Sequence, residues 1–278
     1  MTRRVRADVP RFKLTIEYAG TRYGGWQIQK NARTIQGEID RAVRRVTGRE
    51  DFELYGSGRT DAGVHASGQI AHLDVASNLP PASLRERLNA ELPADINILR
   101  AEIVPHRFHA RHDAVARRYV YQIARRRTAF HKQFVWWVKE PLDIGAMRSA
   151  AAVFVGMKDF KFFAEAQTGE ATSTRALVDR ADVLEDGDLV LVVVESSHFL
   201  WKMVRRMVGV LVDVGRGNIP VDRVAALLEQ PSGVPARLTA PPSGLFLARV
   251  FYKSDRRDAA AGRQPAVTPL DSATLRTP

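Results

Sequence analysis

An arginine, an aspartate and a histidine lie within seven residues in a glycine-rich stretch, residues 56–69, which reads GSGRTDAGVHASGQ. If residues 58–61 are extended, Arg59 and Asp61 point to one face of the chain and Thr60 to the other. A guanidinium beside a carboxylate favours the ionised form of that carboxylate, which suits a nucleophile better than a proton donor. The alternative is a tight turn closed by a local Asx or salt-bridge cap, which composition alone favours.

The segments around this loop alternate apolar and polar residues, as strands do. Helical periodicity begins after Thr34 and ends at Gly48, and a second helix follows a Pro-Pro pair. For the first half, the predicted strands are 11–18, 53–55, 69–75 and 96–104, and the predicted helices are 35–48 and 82–92. Four strands with two helices predict an α+β domain around an antiparallel sheet.

A similar order returns in the rest of the chain. The predicted strands there are 118–123, 174–184, 188–195 and 244–252, and the predicted helices are 144–155, 202–214 and 221–229. The chain is thus divided into a basic N-terminal tail (1–10), an N-terminal half (11–105), a C-terminal half (106–253) and a tail predicted to be disordered (254–278).

The charge balance indicates a polyanionic partner. The 278 residues carry a net charge of +11, of which residues 1–10 and 253–278 contribute +2 each, so most of the excess lies between them. The absence of cysteine excludes disulfides, thiolate catalysis and Cys-ligated metals. No apolar run is long enough to span a membrane, and no secretory signal is evident, so we expect a cytoplasmic protein without a membrane partner.

Residues 58–66, GRTDAGVHA, resemble the signature of the TruA family of tRNA pseudouridine synthases letter for letter. The resemblance implies that Asp61 is catalytic and that Arg59 occupies the space left by an extruded base. It also implies the pseudouridine synthase fold, in which two similar α+β halves share a largely antiparallel sheet. Helices pack on that sheet, and a central basic cleft holds the active site.

Three histidines lie within residues 106–112, HRFHARH. A metal site is disfavoured, because the spacing places the histidines on opposite faces of a strand and no carboxylate pair is near. The segment is either a solvated link between the halves or a rim that contacts phosphates. The patterns FHAR (108–111) and ARRY (116–119) resemble two further family motifs and imply substrate binding by Arg111, Arg117 and Arg118.

Tyr119 and Tyr121 lie on the same face of a predicted strand, beside a pair of arginines. Either tyrosine could stack on an extruded base and present a hydroxyl, or could simply be half-buried in the sheet. Periodicity does not rank the two. The ARRY resemblance implies that Tyr119 is the catalytic tyrosine.

Residues 199–209, FLWKMVRRMVG, begin a helical periodicity in which Val204, Met207, Val208 and Leu211 face inward. Arg205 lies one position from this face, so it is either a solvated cation or a partly buried one. The family's MVR segment, which this stretch resembles, implies that Arg205 pairs with Asp61. The family usually continues with Asn where this chain has Arg206, a cation that could join RNA binding or alter local hydrogen bonding.

Residues 240–247, APPSGLFL, resemble a last family motif, and Leu245 is implied to line the base pocket. The resemblance spans residues 11–252 and weakens between 159 and 176. It implies a cofactor-free and metal-free isomerase that converts uridine to pseudouridine in the anticodon stem-loop of tRNA, at positions 38, 39 or 40, and that works as a homodimer. Which uridines are modified, and whether Asp61 attacks the substrate or abstracts a ribose proton, stays open.

Two other classes of protein remain as alternatives. One is a non-catalytic RNA-binding protein on the same scaffold, which substitution of Asp61 would favour. The other is a metal-dependent hydrolase that uses Asp61, His65 and the histidines of residues 106–112.

Overall fold

The computed structural model describes residues 9–165, 173–255 and 267. Within these residues the strands are β1 (Arg11–Tyr18), β2 (Glu53–Gly56), β3 (His65–Asp74), β4 (Ile96–Val104), β5 (Ala114–Ala124), β6 (Trp136–Trp137), β7 (Gly156–Asp159), β8 (Arg175–Asp186), β9 (Leu189–Ser196) and β10 (Leu245–Tyr252). The α-helices are α1 (Ile35–Thr47), α2 (Pro81–Glu91), α3 (Ile144–Ala152), α4 (Met203–Gly215), α5 (Arg223–Glu229) and α6 (Val234–Arg237). Contacts divide the described chain into a first unit, residues 9–115 with 247–255, and a second unit, residues 116–246.

The first unit is built on the strand order β4-β1-β3-β10, and β2 pairs with one end of β3. Strand β1 is antiparallel to both of its neighbours, so that Arg11 lies opposite Asp74 on one side and Val104 on the other. Alternate residues of β1 are buried, including Phe12, Leu14 and Ile16. The period-two pattern of the sequence therefore places one face of this strand in the core.

The second unit contains the order β5-β9-β8-β7, all antiparallel, with the short β6 parallel to β5. Every residue of β9 is buried, as its continuous apolar run requires of a central strand. Gly187, at φ 57°, forms the turn between β8 and β9. The α+β class and the largely antiparallel pairing that the sequence predicts are confirmed.

The helix boundaries follow the capping signals of the sequence. The Thr34 side chain accepts a hydrogen bond from the backbone N of Gly37 at 3.2 Å at the start of α1, and Gly48 ends this helix at φ 66°. In α4 the predicted inward residues Val204, Met207, Val208 and Leu211 are all buried. The described residues contain no helix with the length and apolarity needed to cross a membrane.

Some elements differ from the prediction. Strand β3 begins at His65 rather than residue 69, so part of the glycine-rich motif is itself sheet. The helix predicted to reach residue 155 ends at Ala152. Residues 153–155 connect it to β7, a strand that was not predicted. The predicted disordered tail (254–278) lies outside the described residues from 256 onward, apart from residue 267.

Candidate active site

The loop that carries Asp61 is fixed on both sides of that residue. The Thr60 hydroxyl lies 2.8 Å from the Tyr18 hydroxyl, and the carbonyl of Thr60 accepts from the backbone N of Trp26 at 3.1 Å. The carbonyl of Asp61 itself accepts from the backbone N of Val64 at 3.1 Å. Thr60 is buried, Asp61 is half-buried and Arg59 is exposed, which is the alternation the sequence predicts. The backbone on both sides of Asp61 is therefore fixed by hydrogen bonds.

Glycine is required at two positions, Gly20 and Gly25, where a neighbouring loop packs against the backbone of the loop that carries Asp61. A Cβ on Gly20 would lie 1.9 Å from the carbonyl O of Val64, and a Cβ on Gly25 would lie 2.5 Å from that of Thr60. Gly25 also has φ 101°, which L-residues with a side chain rarely adopt. These contacts come from the loop of residues 19–34, whose role sequence reasoning missed. Its concentration of glycine and aromatic residues was the available signal.

His65 has a structural role. It is fully buried, and its Nδ1 accepts a hydrogen bond from the backbone N of Gly20 at 3.0 Å. A histidine fixed in this way secures the loop of residues 20–25 against β3. It does not offer the exposed imidazole that the metal-dependent hydrolase alternative requires.

The segment of residues 106–112 is held by a buried ion pair. The Arg11 guanidinium binds Asp74 through two hydrogen bonds of 2.7 and 2.6 Å. Its remaining terminal nitrogen donates to the carbonyls of His106 and Phe108 at 2.5 and 2.6 Å. Because two carbonyls and a carboxylate converge on one guanidinium, this arginine fixes the entry to the histidine-rich segment.

Ala110 is held through both of its backbone groups. Its N–H donates to Nδ1 of His72 at 3.2 Å, and its carbonyl accepts from the Tyr252 hydroxyl at 2.8 Å. His109 accepts the N–H groups of Arg111 and His112 on its Nδ1, so its ring shapes the turn. Arg111 and His112 are exposed. No group of three or more His, Asp or Glu residues that could hold a metal occurs within the described part of the chain.

The two arginines of the ARRY motif bind residues of the second unit, to which they themselves belong. Arg118 donates from Nε to Glu195 at 3.0 Å, and a terminal nitrogen of Arg118 lies 2.8 Å from the same carboxylate oxygen in a largely buried ion pair. Arg117 donates to the carbonyl of Ser197 at 3.0 Å. Since both guanidiniums hold β5 to its neighbour, exposed Arg111 is better placed than either of them for a substrate phosphate.

The structure distinguishes the two tyrosines of β5. Tyr121 is fully buried, its hydroxyl donates to the Pro241 carbonyl at 2.8 Å, and Gly244 packs against its ring. Burial raises the pKa of Tyr121 well above its ordinary value, and the positive charge of Arg205 partly offsets this effect. Tyr119 is half-buried and lies edge-on to Phe199, with ring centroids 4.9 Å apart. Of these two tyrosines, Tyr119 is thus the one that is partly exposed to solvent.

Arg205 is half-buried on the first turn of α4 and is tied to the motif that contains Leu245. Its Nε donates to the Ala240 carbonyl at 2.7 Å, and its own carbonyl accepts the N–H of Ala240 at 3.0 Å. Leu245, which begins β10, is buried. The second unit therefore brings together Arg205, Tyr121 and residues 240–245, while Asp61 and Arg59 belong to the first unit.

Arg206 is largely buried and is hydrogen-bonded within its own unit. It is 7% exposed, and its guanidinium donates to the Ala164 carbonyl at 2.5 Å and to Glu165 at 3.0 Å. These contacts tie the guanidinium to residues 164 and 165. The divergent segment of residues 159–176 is described only in part, because residues 166–172 lie outside the described chain.

Comparisons with known proteins show the family to which the chain belongs. A family model described as tRNA pseudouridine synthase matches residues 14–113 and 150–253. The tRNA pseudouridine synthase A of Rhodopseudomonas palustris (strain BisA53) is 45% identical over 248 residues, covering 88% of this chain and 100% of that protein. Those of Nitrobacter hamburgensis and Bradyrhizobium diazoefficiens are 44% and 42% identical over 247 residues, again covering 88% of this chain and 100% of each relative.

Among solved structures, a chain of an archaeal box H/ACA sRNP Nop10-Cbf5 complex matches with 12% identity and a TM-score of 0.35, covering 73% of this chain and 44% of that chain. A likeness this weak supports no conclusion. The family model and the curated relatives identify an isomerase that acts on RNA. The chain belongs to the tRNA pseudouridine synthase family, as the GRTDAGVHA motif predicts.

Proposed function

We propose that this protein converts uridine to pseudouridine in the anticodon stem-loop of tRNA, with Asp61 as the catalytic carboxylate. The observation that carries the proposal is the complete GRTDAGVHA motif on a loop fixed at Thr60, Asp61 and Val64. Rigid backbone on both sides of Asp61 positions its carboxylate before substrate binds, and such preorganisation supports catalysis.

The reaction breaks the bond from ribose C1′ to uracil N1 and forms a bond from C1′ to C5. The C5 proton leaves and N1 gains a proton, so that atoms and electrons balance without an oxidant or a leaving group. A nucleophilic carboxylate can divide this rearrangement into two easier steps. Asp61 acts either in this way or by removing a ribose proton.

The other site residues have supporting roles in this proposal. Arg59, which is exposed beside Asp61, takes the place of the extruded base. Arg205 pairs with Asp61, Tyr119 stacks on the base and relays a proton, and Leu245 lines the base pocket. Arg111 contacts a backbone phosphate, supported by Arg117 and Arg118. The reaction needs no metal or cofactor, because it is neither a redox reaction nor a phosphate transfer.

We propose further that the enzyme acts in the cytoplasm as a homodimer that binds tRNA across both subunits. The resemblance to the family supports this arrangement, and the basic excess of the chain suits a polyanionic substrate. Analytical ultracentrifugation of the protein with and without tRNA tests the dimer. A monomer in both samples would contradict it.

The decisive test uses tRNA labelled with tritium at C5 of uridine, because pseudouridine formation releases that hydrogen to water. Asp61→Asn keeps the shape of the side chain and removes its charge, so we expect turnover to fall by about 10,000-fold or more while tRNA binding persists. Exposed Arg223 in α5 provides a control, since Arg223→Lys should release tritium at the normal rate. Tritium release by purified Asp61→Asn or Asp61→Ala at a rate close to that of the unmodified protein would refute the assignment.

A further inference from the structure

The residue before α4 has an unusual backbone conformation. Lys202 has φ 62° and ψ 3°, and within the described residues no other non-glycine residue has a positive φ. This left-handed conformation is disfavoured for a residue with a Cβ. No side chain caps the helix at this position. Such a residue persists only where its surroundings hold it, and it marks a site worth explaining.

Glu165 holds this turn at both of its ends. Its Oε2 accepts from Nζ of Lys202 at 2.7 Å and from the Arg206 guanidinium at 3.0 Å. The backbone N of Glu165 donates to the carbonyl of Trp201 at 3.0 Å. One residue thus contacts the chain before the turn, the strained residue itself and the first turn of α4.

Burial and charge make this contact specific. Arg206 is 7% exposed and also donates to the Ala164 carbonyl at 2.5 Å, and its Nε is buried without a hydrogen-bond partner among the described residues. A buried guanidinium needs a counter-charge, and Glu165 is the carboxylate that supplies it. The hydrogen bond from Lys202, followed by the charges of Lys202 and Arg206, holds the pKa of Glu165 below its ordinary value.

Arg205 lies between the two residues that Glu165 binds. On its other side it is tied to Ala240 through its Nε and its carbonyl. The turn that carries Arg205 is therefore fixed from two directions, by Glu165 through Lys202 and Arg206 and by Ala240 directly. We propose that Glu165 is a positioning residue that fixes the strained turn at Lys202 and thereby aims Arg205, an inference that rests on the catalytic role proposed for Arg205.

The first test compares Glu165→Gln with Glu185→Gln. Glu185 is a matched control because it also accepts from two arginines, Arg125 at 2.8 Å and Arg148 at 3.3 Å. A misplaced catalytic group costs up to about 100-fold in rate per ångström, so Glu165→Gln should lower kcat by about tenfold and leave the KM for tRNA unchanged. Glu185→Gln should change neither constant. A normal kcat for Glu165→Gln, or a raised KM instead, would overturn the proposal.

The second test asks whether relief of backbone strain restores activity. Glycine adopts a positive φ without a Cβ penalty, so adding Lys202→Gly to Glu165→Gln should recover at least about half of the lost kcat on a logarithmic scale. If Glu165 contacted RNA or only stabilised the fold, the added glycine would recover nothing, and the proposal would fail. If Glu165→Gln does not fold, Glu165→Asp takes its place, because it keeps the charge and shortens the side chain. Its kcat and KM are judged by the same criteria.

A double-mutant cycle separates this inference from the proposed function. If Glu165 acts through Arg205, Glu165→Gln should have no further effect on kcat in an Arg205→Lys enzyme. A fully active Arg205→Lys enzyme would refute the role of Arg205 itself. An impaired Arg205→Lys enzyme beside a normal Glu165→Gln enzyme would refute only the positioning role.

Discussion

Arg205 and Ala240 are joined by two hydrogen bonds of opposite direction, one from the Arg205 Nε at 2.7 Å and one to the Arg205 carbonyl at 3.0 Å. The side chain of this arginine is therefore oriented by the segment that leads to Leu245. Donation through Nε fixes the plane of the guanidinium, and the two terminal nitrogens lie in that same plane. The geometry suits an arginine that must meet a carboxylate in one orientation.

We expect Arg205→Lys to lower kcat by about 100-fold, because lysine lacks the fork that can hold Ala240 and a carboxylate together. Binding of tRNA, measured by filter retention, should weaken much less. Exposed Arg223 in the same unit serves as the control, and Arg223→Lys should behave as the unmodified protein. Equal losses of binding and turnover in Arg205→Lys would instead indicate a general phosphate contact.

The two tyrosines of β5 should differ in what their hydroxyls do. Tyr121→Phe removes the hydrogen bond to the Pro241 carbonyl and should lower the free energy of unfolding by about 1 kcal/mol. Tyr119→Phe should lower turnover more than it lowers stability, because it removes the hydroxyl that is proposed to relay a proton. Urea denaturation and tritium release measure the two effects. The reverse pattern would transfer the catalytic role to Tyr121.

Affinity for tRNA should fall steeply as salt rises, since phosphate contacts release counterions from the RNA. The net charge is +11, and residues 254–278 contribute only +1 of it. A protein that ends at residue 253 should therefore keep most of the slope of log affinity against log salt concentration. A nearly flat slope after truncation would show that the tail carries the electrostatic binding.

Stability should depend on pH through His72. Burial, followed by the charges of Arg11 and His109, lowers the pKa of His72 to about 4, against the raising effects of Asp74 and Asp113. The unfolded chain binds a proton near pH 6.5, whereas the folded one does not until about pH 4. The contribution of His72 is therefore complete above pH 6.5 and is lost as the pH falls toward 4.

The full difference corresponds to about 3 kcal/mol of unfolding free energy, from about 1.4 kcal/mol for each pKa unit. His72→Asn is the informative variant, because its side-chain oxygen can still accept from Ala110 but does not titrate. Urea denaturation between pH 4 and 7 should show a shallower loss of stability in this variant. Identical pH profiles for both proteins would exclude His72 as the source.

The sequence predicts the long elements well and the local supports of the site poorly. Periodicity in β1 or α1 reflects burial of one face, so it can be detected without knowing the rest of the fold. Strand β6, with two residues, and helix α6, with four, are too short for a period to appear. The alternation of exposed and buried side chains from Arg59 to Asp61 was predicted, because it depends only on neighbouring residues.

Contacts between distant segments could not be predicted in the same way. Arg11 reaches a carboxylate 63 positions away and a carbonyl 97 positions away, and nothing in the local pattern marks it as more than a strand arginine. Glu165 and Arg206 are 41 positions apart, and their pairing depends on where α4 begins. Such pairs are set by tertiary packing, which single-sequence patterns do not encode.

The order in which the ribosome makes this chain has a consequence for the first unit. Residues 247–255 complete a unit whose other residues end at 115, since β10 pairs with β3 and Tyr252 binds the carbonyl of Ala110. Those two residues are 142 positions apart, which at about 5–20 residues per second is roughly 7–30 seconds of synthesis. During that interval the edge of β3 that will receive β10 stays open. The first unit can therefore be completed only after β10 has been synthesised. A chain that terminates before β10 leaves this edge of β3 exposed to aggregation and proteolysis.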